Sequence, residues 1–361
     1  MSIMEDAVKD TDLDLQEIPS EEEDLDVDNA PYEIRSQGAD FTLELFAQKI
    51  GTKEIVVPPF QRNYVWPQKK ASKLIESFLL GLPVPQVFLY QEASKRDLLV
   101  VDGQQRLLTA NYFFNNTLAG TTTQFRLRGV KQKWEGKTFD ELEEGDKRRL
   151  KNYILRATIF EQVNPADDKS VYEIFERLNT GGMALTEQEV RNCVNRGSIN
   201  AFLDEVNRTD SWRQLLGRTE PDRRMKDIEM VLRVFALVEN WTSYKKPMKD
   251  FISAFMRDHK DIPITEQKRL KTMFKSLADT ILEQAGATAF QLTRGRNVAV
   301  LDSTMVAIAV VGPKRITDLK NRLQTLKTNG SYVEYVSKAT TDDDSVRGRI
   351  KMSIEAFSTQ A

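Results

Sequence analysis

VVDGQQRLLTANYFF, residues 100–114, changes its hydrophobic period in the middle. The apolar run Leu98, Leu99, Val100, Val101 reads as a buried strand, and Leu107, Ala110 and Phe114, at spacings of three and four, read as the inner face of a helix packed on it. Asp102-Gly103 is the turn between them. Arg106 then falls in the first helical turn, where a cation opposes the positive end of the macrodipole, after two glutamines and with no acidic residue inside the turn. A strand end, a glycine that lets the backbone approach closely and a helix N-terminus together form an anion site. Gln104 and Gln105 add neutral donors, and Arg106 supplies a fork suited to two phosphate oxygens. Asp102 could share a divalent metal with the same phosphates, since Mg2+ usually takes one or two carboxylates plus phosphate oxygens. The competing reading is a plain turn, with Asp102 capping the helix and Arg106 at the surface. Five residues alone leave both readings open.

Outward from this stretch, GADFTLELFAQKI alternates and then turns helical, and EIVVPPF reads as a strand ended by Pro58-Pro59. A helix is predicted from Pro67, with Leu74, Ile75, Phe78 and Leu79 on one face and Gly81 and Pro83 closing it. QVFLYQ and DLLVV follow as strands, QFRLR and ILRATIFEQ as further strands, and FDELEEGDKRRLKNY as a charged helix between these last two. From Ser170 onward the period is helical, as in Ile228, Leu232, Phe235 and Val238, then Met273, Leu277 and Ile281, then Val300, Met305 and Ile308. The fold class is therefore α+β: an acidic tail over residues 1–36, a mixed α/β domain over 37–165 and an all-helical extension over 166–361.

Composition removes whole classes of chemistry. No apolar run approaches a membrane span and the N-terminus lacks a signal-peptide pattern, so a cytoplasmic protein without a membrane partner is expected. The single cysteine, Cys193, excludes an internal disulfide and reads as a buried helical thiol. The single histidine, His259, reads as a surface side chain, and one histidine cannot build histidine-dependent nuclease, phosphohydrolase or zinc centres. Gly136-Lys137-Thr138 resembles the end of a phosphate-binding loop, but Lys131 stands where its first glycine should be. Net charge is −2, yet residues 1–30 hold twelve acids and one lysine, which leaves 51 bases against 42 acids in residues 31–361. Such an acidic segment is expected to stay disordered, either as a solvating tail or as a competitor of nucleic acid for a basic face.

Two more stretches carry candidate residues. FQRNYVWP, residues 60–67, sets Gln61 and Arg62 in a proline-bounded loop beside Tyr64 and Trp66, either as a ligand wall or, for the aromatics, as a staple for the next helix. FERLNTGGMALTEQEVRN, residues 175–192, gives a helix with Phe175 and Leu178 in the core, a glycine turn after Asn179, and a capping box of Thr186 and Glu189 that starts the next helix. Asn179 reads equally as a C-cap or a ligand contact.

FQRNYVW, DGQQRLLTA and FERLNTGGMALTEQEVRN, in that order, closely resemble the N-terminal domain family of GmrSD-type, modification-dependent restriction endonucleases. MKDIEMVLRVFALVENW, MKDFISAFM and NVAVLDSTMVAIA also look like that family, so the resemblance covers nearly everything after residue 36. It implies a ParB/sulfiredoxin-like α/β fold with a helical extension, and a nucleotide site linked to hydrolysis and to recognition or cutting of modified phage DNA. By position, Asp102, Gly103, Gln104, Gln105 and Arg106 would bind the nucleotide, with Gln61 and Arg62 as a second wall and Asn179 as a further contact. Asp102, Gln105 and Arg106 would be catalytic, and Asp102 would also meet the metal. Leu108 departs from the family pattern, on the helix and outside the phosphate motif. The expectation is a short form of the family: a Mg2+-dependent nucleoside triphosphatase of a phage-defence system, with DNA, a separate nuclease subunit and further copies of the chain as partners. The alternatives are a ParB-like DNA-binding or regulatory protein without significant catalysis, and a weak metal-dependent DNA nuclease using Asp102.

Overall fold

The computed structural model describes residues 33–57, 64, 66–91, 97–118, 123–163, 169–178, 185–293 and 295–358. The chain forms two compact units, Ala30–Val194 and Asn195–Ala361. In the first, the elements run β1 (Ile34–Thr42), α1 (Leu43–Gly51), β2 (Ile55–Val56), α2 (Gln68–Leu80), β3 (Val87–Gln91), β4 (Leu98–Asp102), α3 (Gln104–Phe114), α4 (Glu144–Lys151), β5 (Ile154–Gln162), α5 (Lys169–Leu178) and α6 (Glu187–Val194). The five strands make one mixed sheet in the order β1-β5-β3-β4-β2. β1 and β5 pair antiparallel along their whole length, from Ile34 opposite Gln162 to Thr42 opposite Ile154. β3 lies parallel to β5 and antiparallel to β4, and β2 is parallel to β4.

Both faces of the central strands are covered, which is why LLVV reads as a continuous apolar run and not as an alternation. Val87, Leu89, Val100, Leu155 and Ala157 face Phe46, Ile75, Phe78, Leu107 and Phe113 from α1, α2 and α3. Tyr90, Leu99, Val101 and Phe160 on the opposite face pack with Val171, Phe175, Val190 and Cys193 from α5 and α6. The capping box that starts α6 is present: Glu189 N–H donates to Thr186 Oγ1 at 3.2 Å, and Thr186 N–H donates to Glu189 Oε2 at 2.6 Å. The acidic tail as far as residue 32 lies outside the described residues.

QFRLR departs from the expected strand. Gln124 makes an isolated bridge with Thr117, and residues 125–128 join no strand. Its alternation is real, with Phe125 and Leu127 fully buried. Its backbone is instead satisfied by side chains of α2 and by a short loop: Arg126 O accepts from Gln68 Nε2 at 2.6 Å, Arg128 N–H donates to Ser72 Oγ at 2.9 Å, and Leu127 N–H donates to Lys137 O at 2.9 Å. Period two reports burial of alternate side chains and does not say what the backbone binds.

The second unit contains, among its described residues, nine α-helices: α7 (Ser198–Asn207), α8 (Asp210–Leu216), α9 (Lys226–Asn240), α10 (Met248–Asp258), α11 (Ile264–Ala285), α12 (Val298–Val311), α13 (Leu319–Thr328), α14 (Gly330–Ser337) and α15 (Asp343–Ser358). α12 is buried on every side from Val298 to Ile308, so it forms the axis of the unit. Its one carboxylate, Asp302, is fully buried and holds two arginines. Arg349 Nε and Nη2 of α15 each reach it at 2.9 Å, and Arg233 Nε of α9 reaches it at 2.8 Å. A second buried pair, Arg213 with Asp227 at 2.7 Å, ties α8 to α9. Among the described residues no helix is long and apolar enough to cross a membrane.

Candidate functional site

β4 ends at Asp102, and the chain turns into α3 through Gly103, whose φ of 98° and ψ of 7° lie in the left-handed region. The glycine is needed twice over. Left-handed backbone disfavours a side chain, and a Cβ at this position would stand 2.4 Å from Val87 Cγ1. Val87 opens the neighbouring strand β3, where Phe88 pairs with Asp102. The strand end, the turn and the helix start are therefore pressed against one another. Asp102 is not the N-cap of α3: that position is Gly103, which has no side chain with which to cap the helix.

Arg106 does have an acidic partner. Its Nη2 donates to Asp102 Oδ2 at 2.5 Å, and its Nη1 donates to Pro85 O at 3.0 Å. Asp102 precedes Arg106 by four residues and lies on the strand side of the turn, outside the helical turn in which the sequence suggests looking. This carboxylate offsets the unfavourable dipole position of the cation. The Arg106 side chain is 14% exposed and that of Asp102 is 38% exposed. Asp102 Oδ1 takes no hydrogen bond among the described residues, so one carboxylate oxygen is available for a metal ion shared with phosphate oxygens, the usual manner for Mg2+. Pro85 and Val87 were not legible as site residues. Nothing in a sequence separation of 21 or 16 residues marks a contact that only the pairing of β3 with β4 creates.

Tyr64 joins the site from another direction. Its hydroxyl lies 2.8 Å from Thr109 Oγ1, which donates to Gln105 O at 2.7 Å, and its ring meets Tyr112 edge-on at 5.2 Å. Tyr64 is thus anchored on α3, one turn beyond Gln105 and Arg106. Tyr64 serves that helix, whereas Trp66 sits at the start of α2 with Lys70 Nζ 4.6 Å from its ring centre. Gln61, Arg62 and Asn179 lie outside the described residues. Gln104 and Gln105 open α3, and Gly103 completes the five residues 102–106 at the C-terminal end of β4.

The remaining polar candidates have structural roles. Cys193 is buried and burial pushes its thiol up, with the Glu189 carboxylate adding to the shift, so it is a core side chain. His259 caps α10 in place of lying free at the surface. Its Nδ1 is 2.9 Å from Phe255 O, its ring stacks on Phe255 at 4.0 Å, and its Nε2 is 3.7 Å from Glu239. Gly136 of the Gly-Lys-Thr stretch turns the chain at φ 75°, and Thr138 is buried.

Comparison with the curated proteins finds no match. A family model does match, over residues 43–194, and it is that of the GmrSD restriction endonuclease, N-terminal domain. The matched stretch holds α1 to α6, four of the five strands and the whole of the 102–106 turn. Residues 43–194 of this chain are thus similar to the N-terminal domain of the GmrSD restriction endonuclease, as the ordered motifs of the sequence imply.

Proposed function

We propose that residues 102–106 bind the phosphates of a nucleoside triphosphate with Mg2+, and that hydrolysis there governs a DNA-interacting component of a phage-defence restriction system whose nuclease is a separate subunit. The observation that carries this reading is the Gly103 turn: left-handed backbone at the start of a helix that no side chain caps, with an arginine anchored beside it. A helix N-terminus of this kind favours an anion through its backbone N–H groups and its dipole. Arg106 spends one N–H on Asp102 and one on Pro85, and its other donors have no partner among the described residues. Asp102 orients that guanidinium and offers Oδ1 toward a metal, while Gln104 and Gln105 supply neutral donors; Gln61, Arg62 and Asn179 are further candidate contacts by family resemblance alone. In this role Asp102, Gln105 and Arg106 act on the phosphates.

One observation favours a second reading. Arg106 bridges β4 to the segment before β3 and is mostly covered, as a structural strut would be, and the protein would then be a ParB-like DNA-binding or regulatory protein with a turn at 102–106. Steady-state hydrolysis of nucleoside triphosphates by the purified chain, with and without duplex DNA, separates the two. Turnover above background that needs Mg2+ and is lost in Arg106→Ala supports the first. Absence of both turnover and nucleotide binding leaves the second.

A further inference from the structure

α2 starts against its own electrostatics. Its N-cap is Pro67, no side chain caps it, its first turn contains no acidic residue, and Lys69 and Lys70 stand in that turn. Two lysines at an uncapped N-terminus add to the positive end of the helix dipole and have no compensating anion there. The same helix then draws further cations to its side. Gln68, Ser72 and Glu76, at successive spacings of four, bond the backbone of the segment RLRGVK at Arg126 O, Arg128 N–H and Lys131 N–H, at 2.6, 2.9 and 2.7 Å. Ser72 and Glu76 are buried in doing so, and the segment is held alongside the lysines. Gly129, at φ 69°, turns it so closely that a Cβ there would stand 2.9 Å from Lys69 Cε.

The resulting strip is not neutralised. Acidic groups face it from Glu76, Glu135 and Glu141. Glu76 pairs with Lys73 at 2.7 Å, Glu141 pairs with Arg126 at 2.8 Å, and Glu135 accepts from Val130 N–H at 3.0 Å. Lys69, Arg128 and Lys131 are exposed and make no salt bridge among the described residues, although Lys131 lies within the field of the Glu76 carboxylate, and Lys70 lies on the ring of Trp66. A fold that clamps like charges together has work for them. Guanidinium and ammonium groups along an exposed edge, with an aromatic ring at one end, suit the phosphate oxygens of a nucleic-acid backbone.

We propose that the edge formed by the start of α2 and residues 126–131 is a binding surface for the phosphate backbone of double-stranded DNA. This rests on the DNA-interacting part of the reading above and is independent of the nucleotide site. Tyr64, anchored to Thr109 on α3, and Trp66 lie two residues apart, so the strip and the 102–106 turn flank one short stretch of chain.

The test is fluorescence anisotropy of a labelled DNA duplex against the full chain over a range of salt. The variant Lys69→Gln/Arg128→Gln/Lys131→Gln is compared with Lys268→Gln/Lys320→Gln/Lys351→Gln, which removes three exposed lysines of the helical unit. The strip variant should bind at least about tenfold more weakly and lower the salt slope by roughly 2–3, the loss of about 0.9 per phosphate contact. The helical-unit variant should bind as the parent does. Wild-type affinity in the strip variant, an equal loss in the helical-unit variant, or no binding by the parent at low salt would each overturn the proposal. Hydrolysis and nucleotide titration measured alongside report on residues 102–106 separately, so failure of that site is distinguished from failure of the strip.

Discussion

Arg106 shows how one side chain can satisfy two demands. Its bonds to Asp102 and Pro85 hold β4, α3 and the segment before β3 together, while its remaining donors stay available. Arg106→Ala should therefore destabilise the first unit by about 1–2 kcal/mol, between the worth of an exposed pair and that of a hydrogen bond to a charged group. The same change should weaken nucleotide binding by roughly 1.5–3 kcal/mol. Urea unfolding and nucleotide titration read these independently, and a destabilised variant with unaltered nucleotide affinity would leave Arg106 as a strut alone. Gly103→Ala should cost about 2–4 kcal/mol, combining a left-handed residue with overpacking against Val87. Adding Val87→Ala removes the collision but not the backbone strain. The double variant should recover part of the loss, with a coupling of about 1 kcal/mol or more in a double-mutant cycle. Strict additivity would mean that the turn relaxes away from β3.

Among the elements, α12 is the one on which the helical unit depends most. Asp302 is its only carboxylate, buried between Arg233 of α9 and Arg349 of α15. Removing one partner of a buried ion pair leaves an uncompensated charge, so Asp302→Ala should cost about 3–5 kcal/mol, and here two guanidinium groups are stranded. Thermal melting followed by helix content should show the loss in the second unit. A shift within the range of a surface substitution would mean that water or a rearranged carbonyl takes over the arginines. Element boundaries also repay comparison with the sequence. The capping box at Thr186 and Glu189 was legible because both partners lie within one turn. The strand expected at QFRLR was not real, because its backbone partners Gln68 and Ser72 sit on a helix more than fifty residues away.

At the scale of the whole molecule, charge is divided along the chain. Residues 1–30 carry a net of −11 within a total of −2, which leaves +9 for residues 31–361. Removing residues 1–30 should raise affinity for duplex DNA and steepen its salt dependence, measured by anisotropy on full-length and trimmed chains, because a competing polyanion is gone. Equal affinities would make the segment a solvating tail. The basic strip along α2 names the surface for which such a segment would compete, and the trimmed chain should lose its added affinity when Lys69, Arg128 and Lys131 are also replaced.

The sequence by itself determined the α+β class, the strand–turn–helix at 98–114, the capping box, the buried Cys193 and the likeness of residues 43–194 to the GmrSD N-terminal domain, since each rests on local periodicity, on spacing within a turn or two, or on an ordered set of motifs. It also marked Arg106 as out of place for a helix start. Only the tertiary structure decided what answers that charge, because Pro85 reaches Arg106 through the pairing of β3 with β4, and the Asp102 side chain is oriented by the turn at Gly103. The anchoring of Tyr64 on Thr109, the clamping of residues 126–131 to α2 and the meeting of Arg233, Asp302 and Arg349 are likewise products of packing. Local pattern encodes which face of an element is buried, whereas the partner across that face is selected by chain topology and burial of the whole core.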